Sequence, residues 1–352
     1  EALVALLLAA ASGFLIKYAQ EVRMYSLLFL LTLSSLLYFA RYLNAARAAK
    51  GGLFALFLVN LLLVYTHYYG WLVVAGEALF LLHRRRERFK PFALTLAAVA
   101  LCFAPWVYAC ASESGAGGGL AQNIGWIERP GPAHLARLFV LLHEPFYFQR
   151  SSAEPHFTRG AALPGLLILA PVLLLLFRLL KRRDGARSED EGARATTKEE
   201  VSGETVGDER LGAADDGERL GAAVGFLLFF TIGPLALAFA ASLVLPFSVW
   251  GTRHLIAVAG PYLLLAGVAL ARLRPFWLKA TALILLTCWL VLAGAFAAQR
   301  REGVYVWCAW EGLANSLARD GSGRERDERG EARPTEVYAF EDLVAYHLWF
   351  AL

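Results

Sequence analysis

The chain is 352 residues long, 58% hydrophobic, and carries a formal net charge of +4. A soluble domain is about 45–50% apolar, so this excess excludes an ordinary water-soluble fold and calls for an apolar solvent. The basic residues sit beside the apolar runs rather than in a stripe of their own, which excludes a nucleic-acid partner, and alternation at strand spacing is absent, which excludes a β-barrel.

Taken in chain order, helices are predicted near Ala2–Ile16, Ser26–Leu43, Leu53–Tyr65, Gly70–Leu82, Pro91–Tyr108, Leu163–Leu180, Ala222–Leu245, Leu255–Ala271 and Trp277–Ala297. Met24–Ala40, Pro91–Ser112, Gly160–Phe177, Gly221–Thr252 and Leu255–Ala271 contain no Asp, Glu, Lys or Arg. Runs of about 20 apolar residues match a hydrocarbon core about 30 Å thick. The expected fold is therefore an all-α polytopic membrane protein with about nine spans, occupying 1–298. The chain begins at Glu1 inside an apolar segment, and it reads as a fragment lacking an N-terminal part. Four connections are basic: Arg41, Arg47 and Lys50; Arg84–Arg86, Arg88 and Lys90; Lys181–Arg183; Arg272, Arg274 and Lys279. The helix count puts all four on one side, expected to be the cytoplasm. Lys17–Tyr25, Thr66–Tyr69, Ala109–Arg159, Phe247–His254 and the tail from Gln299 then face outward.

Within Ala109–Arg159, the spacing of Leu135, Leu138, Phe139 and Leu142 predicts an amphipathic helix. It would lie at the interface, as a packing helix over the bundle or as a lid over a cavity. Asp184–Gly221 is rich in Gly, Ala and charged residues and is expected to be a disordered cytoplasmic insertion. In the tail, 299–352, Val304–Trp307 and Val337–Phe340 read as short strands among helical stretches, the start of a small α/β region outside the membrane, cut short at Leu352. Cys102, Cys110, Cys288 and Cys308 have neither metal-ligand nor disulfide-framework spacing.

Three polar segments fall on the outer side: Tyr18–Tyr25 (YAQEVRMY), Thr66–Gly70 (THYYG) and Trp250–His254 (WGTRH). Ionisable groups at the mouths of membrane helices are costly and commonly mark a site. Glu21 is the candidate catalytic acid or base. A structural ion pair with Arg23 or Lys17 stands open beside that role. Arg23, Tyr25, His67, Tyr68, Tyr69 and Arg253 are candidate substrate-binding residues. Tyrosine rings offer an apolar face and a hydroxyl to a sugar or lipid phosphate, and they also serve as interface anchors. His67 can equally be a hydrogen-bonded helix contact. Arg253 suits bidentate phosphate contact or snorkelling to headgroups. Glu77, near the inner end of its helix, is expected to pair with one of Arg84–Arg86.

The stretches YAQEVRMYSLLFLLTLSSLLYF, VYTHYYGWLVV, APW with GWIERPGPAHLARLF, and PFSVWGTRHLIAVAGPYLLLAGVAL resemble the membrane glycosyltransferases of the GT-C superfamily. More closely, the chain resembles the dolichyl-phosphate-mannose protein mannosyltransferase-like group, over most of its length except Asp184–Gly221. The resemblance implies an integral-membrane, multi-pass hexosyltransferase, in the cytoplasmic membrane if the source is bacterial or archaeal. It would move a sugar, with inversion, from a polyprenyl-phosphate donor to a protein, lipid or glycan acceptor on the non-cytoplasmic face. An acidic residue would deprotonate the acceptor, and a basic residue, with or without a divalent metal, would stabilise the departing phosphate. The family's catalytic Asp lies in the first outer loop, which would precede Glu1. Glu21 would then be a second acid of the site, and residues 1–352 alone are expected to be inactive. A transporter or flippase, and an inactive subunit that binds lipid-linked glycans, are the alternative readings.

Overall fold

The structure, a computed structural model, describes residues 1–20, 23–45, 50–114, 128–143, 159–196 and 207–299. Glu1–Phe148 and Glu154–Ala298 form one compact unit. The backbone is mostly helical, and no strand occurs among the described residues. Over the described residues the protein is an all-α membrane protein. Beyond Gln299, the expected α/β region lies outside the described residues, as does Cys308.

Eleven helices are described. They are α1 (Ala2–Ala11), α2 (Gly13–Gln20), α3 (Tyr25–Asn44), α4 (Lys50–Thr66), α5 (Gly70–Arg84) and α6 (Phe89–Ser114). Then follow α7 (Pro132–His143), α8 (Arg159–Thr196), α9 (Gly207–Val244), α10 (Ile256–Ala271) and α11 (Phe276–Gln299). Short 3₁₀ turns, Arg86–Arg88 and Thr252–Leu255, precede α6 and α10. The helix expected over Ala2–Ile16 is broken at Ser12, whose backbone is extended. Its hydroxyl accepts the Leu15 N–H at 3.4 Å, which caps the start of α2. Helical backbone continues through Thr196 and resumes at Gly207, so α8 and α9 run on from their apolar stretches into the segment expected to be disordered.

Six helices are long and apolar enough to cross a membrane: Tyr25–Asn44, Arg86–Ser112, Ala162–Lys181, Gly217–Val244, Thr252–Ala271 and Phe276–Ala295. The expectation of nine also counted the α1–α2 segment, α4 and α5. At 1.5 Å per residue the 15 residues of α5 reach only about 22 Å, short of a full hydrocarbon core.

Helix α10 is the hub. Of its spanning window 83% is buried, against 17% for α11. It packs against α1, α3, α8 and α9. Close approach rests on small residues, as in other membrane helix pairs. A Cβ at Gly267 would stand 2.7 Å from Ala5 Cβ, and one at Gly260 would stand 2.6 Å from Leu33 Cδ2. A second core, under α3, α5, α6 and α9, is aromatic: Phe39, Phe80, Phe92, Phe226 and Phe230 meet mostly edge to face, with centroids 4.8–6.2 Å apart. Large apolar side chains such as Leu94, Leu101, Phe177, Trp277 and Val291 point outward, where lipid is their solvent.

At the basic end, Arg88 donates to the carbonyls of Tyr42 and Ala45, and Tyr42 Oη donates to the Arg88 carbonyl at 2.6 Å. These bonds satisfy carbonyls that α3 leaves open at its C-terminus. The helix predicted around Leu135 is α7. It packs on α2 and α8 and buries Leu138, Val140, Leu141 and His143, leaving Leu135 exposed.

Candidate functional site

The site is built where α2 passes into α3, α4 turns into α5, and α9 passes into α10. The α4–α5 turn is tight: the Gly70 N–H donates to the His67 carbonyl at 2.8 Å, and the His67 N–H to Leu63 O at 3.2 Å. Glycine is required at 70 because a Cβ there would stand 2.7 Å from the Leu63 carbonyl oxygen. The turn fixes His67 as well, since the Tyr69 N–H donates to its Nδ1 at 3.1 Å. A neutral imidazole that accepts at Nδ1 carries its hydrogen on Nε2. Burial, and then the charge of Arg253, hold His67 down at about 4, so it is neutral at physiological pH.

The WGTRH segment closes against this turn. Tyr69 Oη accepts the Gly251 N–H at 3.1 Å across 182 residues of sequence. The His254 ring lies 4.6 Å from His67 and 4.6 Å from Tyr69, centroid to centroid. Gly251 makes that approach possible, because a Cβ there would fall 2.1 Å from His254 Nδ1. From α3, Tyr25 reaches the same ring at 5.9 Å, and Tyr18 packs on Tyr25 at 5.3 Å. Tyr25, Tyr69, His67 and His254 are buried, whereas Tyr68 is 47% exposed and forms the open side of the cluster. Burial pushes the Tyr69 and Tyr68 hydroxyls up, against the opposing charge of Arg253, so both stay protonated donors. Among the described residues, the buried His254 Nδ1 and Trp250 Nε1 have no hydrogen-bond partner.

The structure thus brings together Tyr25, His67, Tyr68 and Tyr69 with His254. Arg253 is half-buried and its charge acts on His67, Tyr68 and Tyr69. Arg23 is exposed, close enough for its charge to act on His254. Glu21, the candidate acid or base, lies outside the described residues. Among the described residues no group of three His, Cys, Asp or Glu side chains is placed to hold a metal ion. Sequence reasoning marked the WGTRH segment but not His254 itself, which sits at the centre of the cluster. The available signal was its neighbour Gly251, which permits close ring approach.

Glu77 corrects an expectation. Its carboxyl meets Ser35 and Asn60, each at 2.7 Å, rather than Arg84, Arg85 or Arg86. The reason is helical register: Glu77 shares the buried face of α5 with Gly70, Val73, Val74 and Leu81, while the three arginines are exposed beyond it.

No family model, curated protein or solved structure matches the chain. The functional reading therefore rests on the residues themselves.

Proposed function

We propose that the protein is an integral-membrane glycosyltransferase. It moves a mannose-like hexose, with inversion, from a polyprenyl-phosphate donor to an acceptor hydroxyl on the non-cytoplasmic face. The observation that carries this reading is the convergence of three of the four stretches of the GT-C resemblance, through Tyr25, His67, Tyr69 and His254. An aromatic and imidazole cluster beside a guanidinium suits a ligand that combines sugar hydroxyls with a phosphate. Arg253, with Arg23, would take the phosphate and offset charge on the departing lipid phosphate. His67 Nε2–H and the Tyr68 hydroxyl would donate to the sugar. Glu21 would act as an acid of the same site, alongside a catalytic Asp from an outer loop upstream. In this reading nine segments enter the membrane, the four basic connections face the cytoplasm, and 299–352 folds as an outer α/β region.

A transport reading is the second, favoured by Glu77, a carboxyl buried within the bundle.

The test uses the full-length protein in proteoliposomes with radiolabelled polyprenyl-phosphate sugars and a crude acceptor fraction, comparing wild type with Glu21→Gln. Transfer by the wild type that a folded Glu21→Gln variant loses is the expected result. Transfer unaffected by that change would keep the enzyme and return Glu21 to a structural role. No transfer from any donor would overturn the proposal, and substrate movement without bond formation would establish transport instead.

A further inference from the structure

Ser35 on α3, Asn60 on α4 and Glu77 on α5 meet inside the bundle and are 0%, 1% and 0% exposed. Ser35 Oγ lies 2.7 Å from Asn60 Oδ1 and 2.7 Å from Glu77 Oε1, and Asn60 Nδ2 lies 2.7 Å from Glu77 Oε2. The three side chains close a ring of three contacts. Each contact needs one hydrogen between its two heavy atoms.

The available hydrogens can be counted. Serine brings one, and it can point along only one of its two contacts. The asparagine amide brings one, because its nitrogen faces one neighbour and its oxygen, which only accepts, faces the other. Exchanging the amide oxygen and nitrogen moves that hydrogen from the glutamate contact to the serine contact and leaves the total unchanged. Two hydrogens serve three contacts, and the third has to sit on Glu77. A carboxylate would leave two acceptors facing each other at 2.7 Å with nothing between them.

We propose that Ser35, Asn60 and Glu77 form a proton-binding site in the interior of the bundle, in which Glu77 is a neutral carboxylic acid that completes the ring. The surroundings agree. A Cβ at neighbouring Gly76 would stand 3.3 Å from the Phe230 ring, at the edge of the aromatic core. Among the described residues, the hydrogen-bond partners of the carboxyl are Ser35 and Asn60. Titratable residues on the elements packed against α5 include Tyr38 and Arg41 on α3, Tyr65 on α4, Lys90 on α6, Arg219 on α9, and Arg86, Glu87 and Arg88 in the turn before α6.

The ring is also placed to matter. Tyr25 opens α3, ten residues before Ser35. His67 follows Asn60 by seven, and Gly70 precedes Glu77 by seven. At 1.5 Å per residue the ring sits about 10–15 Å beneath the His67–His254 cluster, on the three helices that lead to Tyr25, His67 and Tyr69. Losing the proton removes one of three links among α3, α4 and α5, so occupancy of this site controls how firmly the cluster's supports are tied together.

The test is infrared difference spectroscopy on the protein in bilayers at neutral pH. Wild type minus Glu77→Gln is expected to show the carbonyl stretch of a protonated carboxylic acid. Glutamine supplies one N–H and one carbonyl, so it refills the ring and keeps the fold. Carboxylate bands in place of the carbonyl stretch would overturn the proposal. Ser35→Ala gives a second readout should Glu77→Gln fail to fold. Removing a ring partner weakens the hydrogen bonding of the acid and moves its carbonyl band to higher frequency, while an unmoved band would overturn the assignment.

Discussion

Replacing Gly267 by alanine tests whether α10 is the hub of the bundle. The new Cβ would meet Ala5 Cβ at 2.7 Å, Ala5 N at 2.8 Å and Ala5 Cα at 2.9 Å. Comfortable carbon contacts begin at about 3.5 Å, so roughly 0.6–0.8 Å of overlap has to be relieved. Two of the three atoms are backbone, and no rotamer change removes them. Helix α10 is held by α3, α8 and α9 on its other sides, so α1 has to retreat along its length. Overpacking of this kind costs about 1–3 kcal/mol, which is a shift of roughly 5- to 150-fold in the unfolding equilibrium. The same substitution at Gly225, inside α9 with nothing within 4 Å of the new Cβ, carries no clash. There alanine gains about 1 kcal/mol of helix propensity, and the sign reverses. Equilibrium unfolding in bicelles would compare the two variants with wild type. A Gly267→Ala protein as stable as Gly225→Ala would refute the close α1–α10 crossing.

Two further outcomes concern the cluster. The His67 imidazole is held at about 4, below its ordinary 6.5, so between those values the unfolded chain binds more protons than the folded one. Its contribution to stability is therefore present above about 6.5 and lost as pH falls toward about 4. Melting temperature measured against pH is expected to fall over that window in wild type and to fall less in His67→Asn, whose side-chain oxygen can still accept the Tyr69 N–H; parallel curves would assign the loss to other groups. Gly251→Ala puts a methyl 2.1 Å from His254 Nδ1. The histidine ring has to leave its place between His67 and Tyr69, with a change in Trp250 fluorescence and loss of at least tenfold in sugar transfer expected. Unchanged emission and transfer together would show that the ring stack is not needed.

The helices were legible because uncharged apolar runs of span length leave few alternatives, and α7 because its apolar residues recur at helical spacing. The convergence of Tyr25, His67 and Tyr69 was suggested by a common side, since each segment lies at the same kind of helix end. Three features were not legible. The break at Ser12 depends on one hydroxyl reaching the Leu15 N–H, and serine is common inside membrane helices without breaking them. Glu77 was misassigned because arginines nearby in sequence were set against polar partners, Ser35 and Asn60, that only the packing of α3 and α4 brings to it. The span count is the third: six helices are long and apolar enough to cross a membrane, and apolar composition alone does not fix length in the shorter ones, such as the 15 residues of α5.

The central place of α10 has a consequence for biogenesis. Helices α1 and α3 precede the partner they share, Ile256–Ala271, by the whole of α4–α9 in chain order. Until that segment is made, the faces of Ala5 and Leu33 that receive Gly267 and Gly260 border an open groove. In a membrane, lipid chains have to fill that groove until α10 arrives, and a chain ended before Ala271 would keep it open to them.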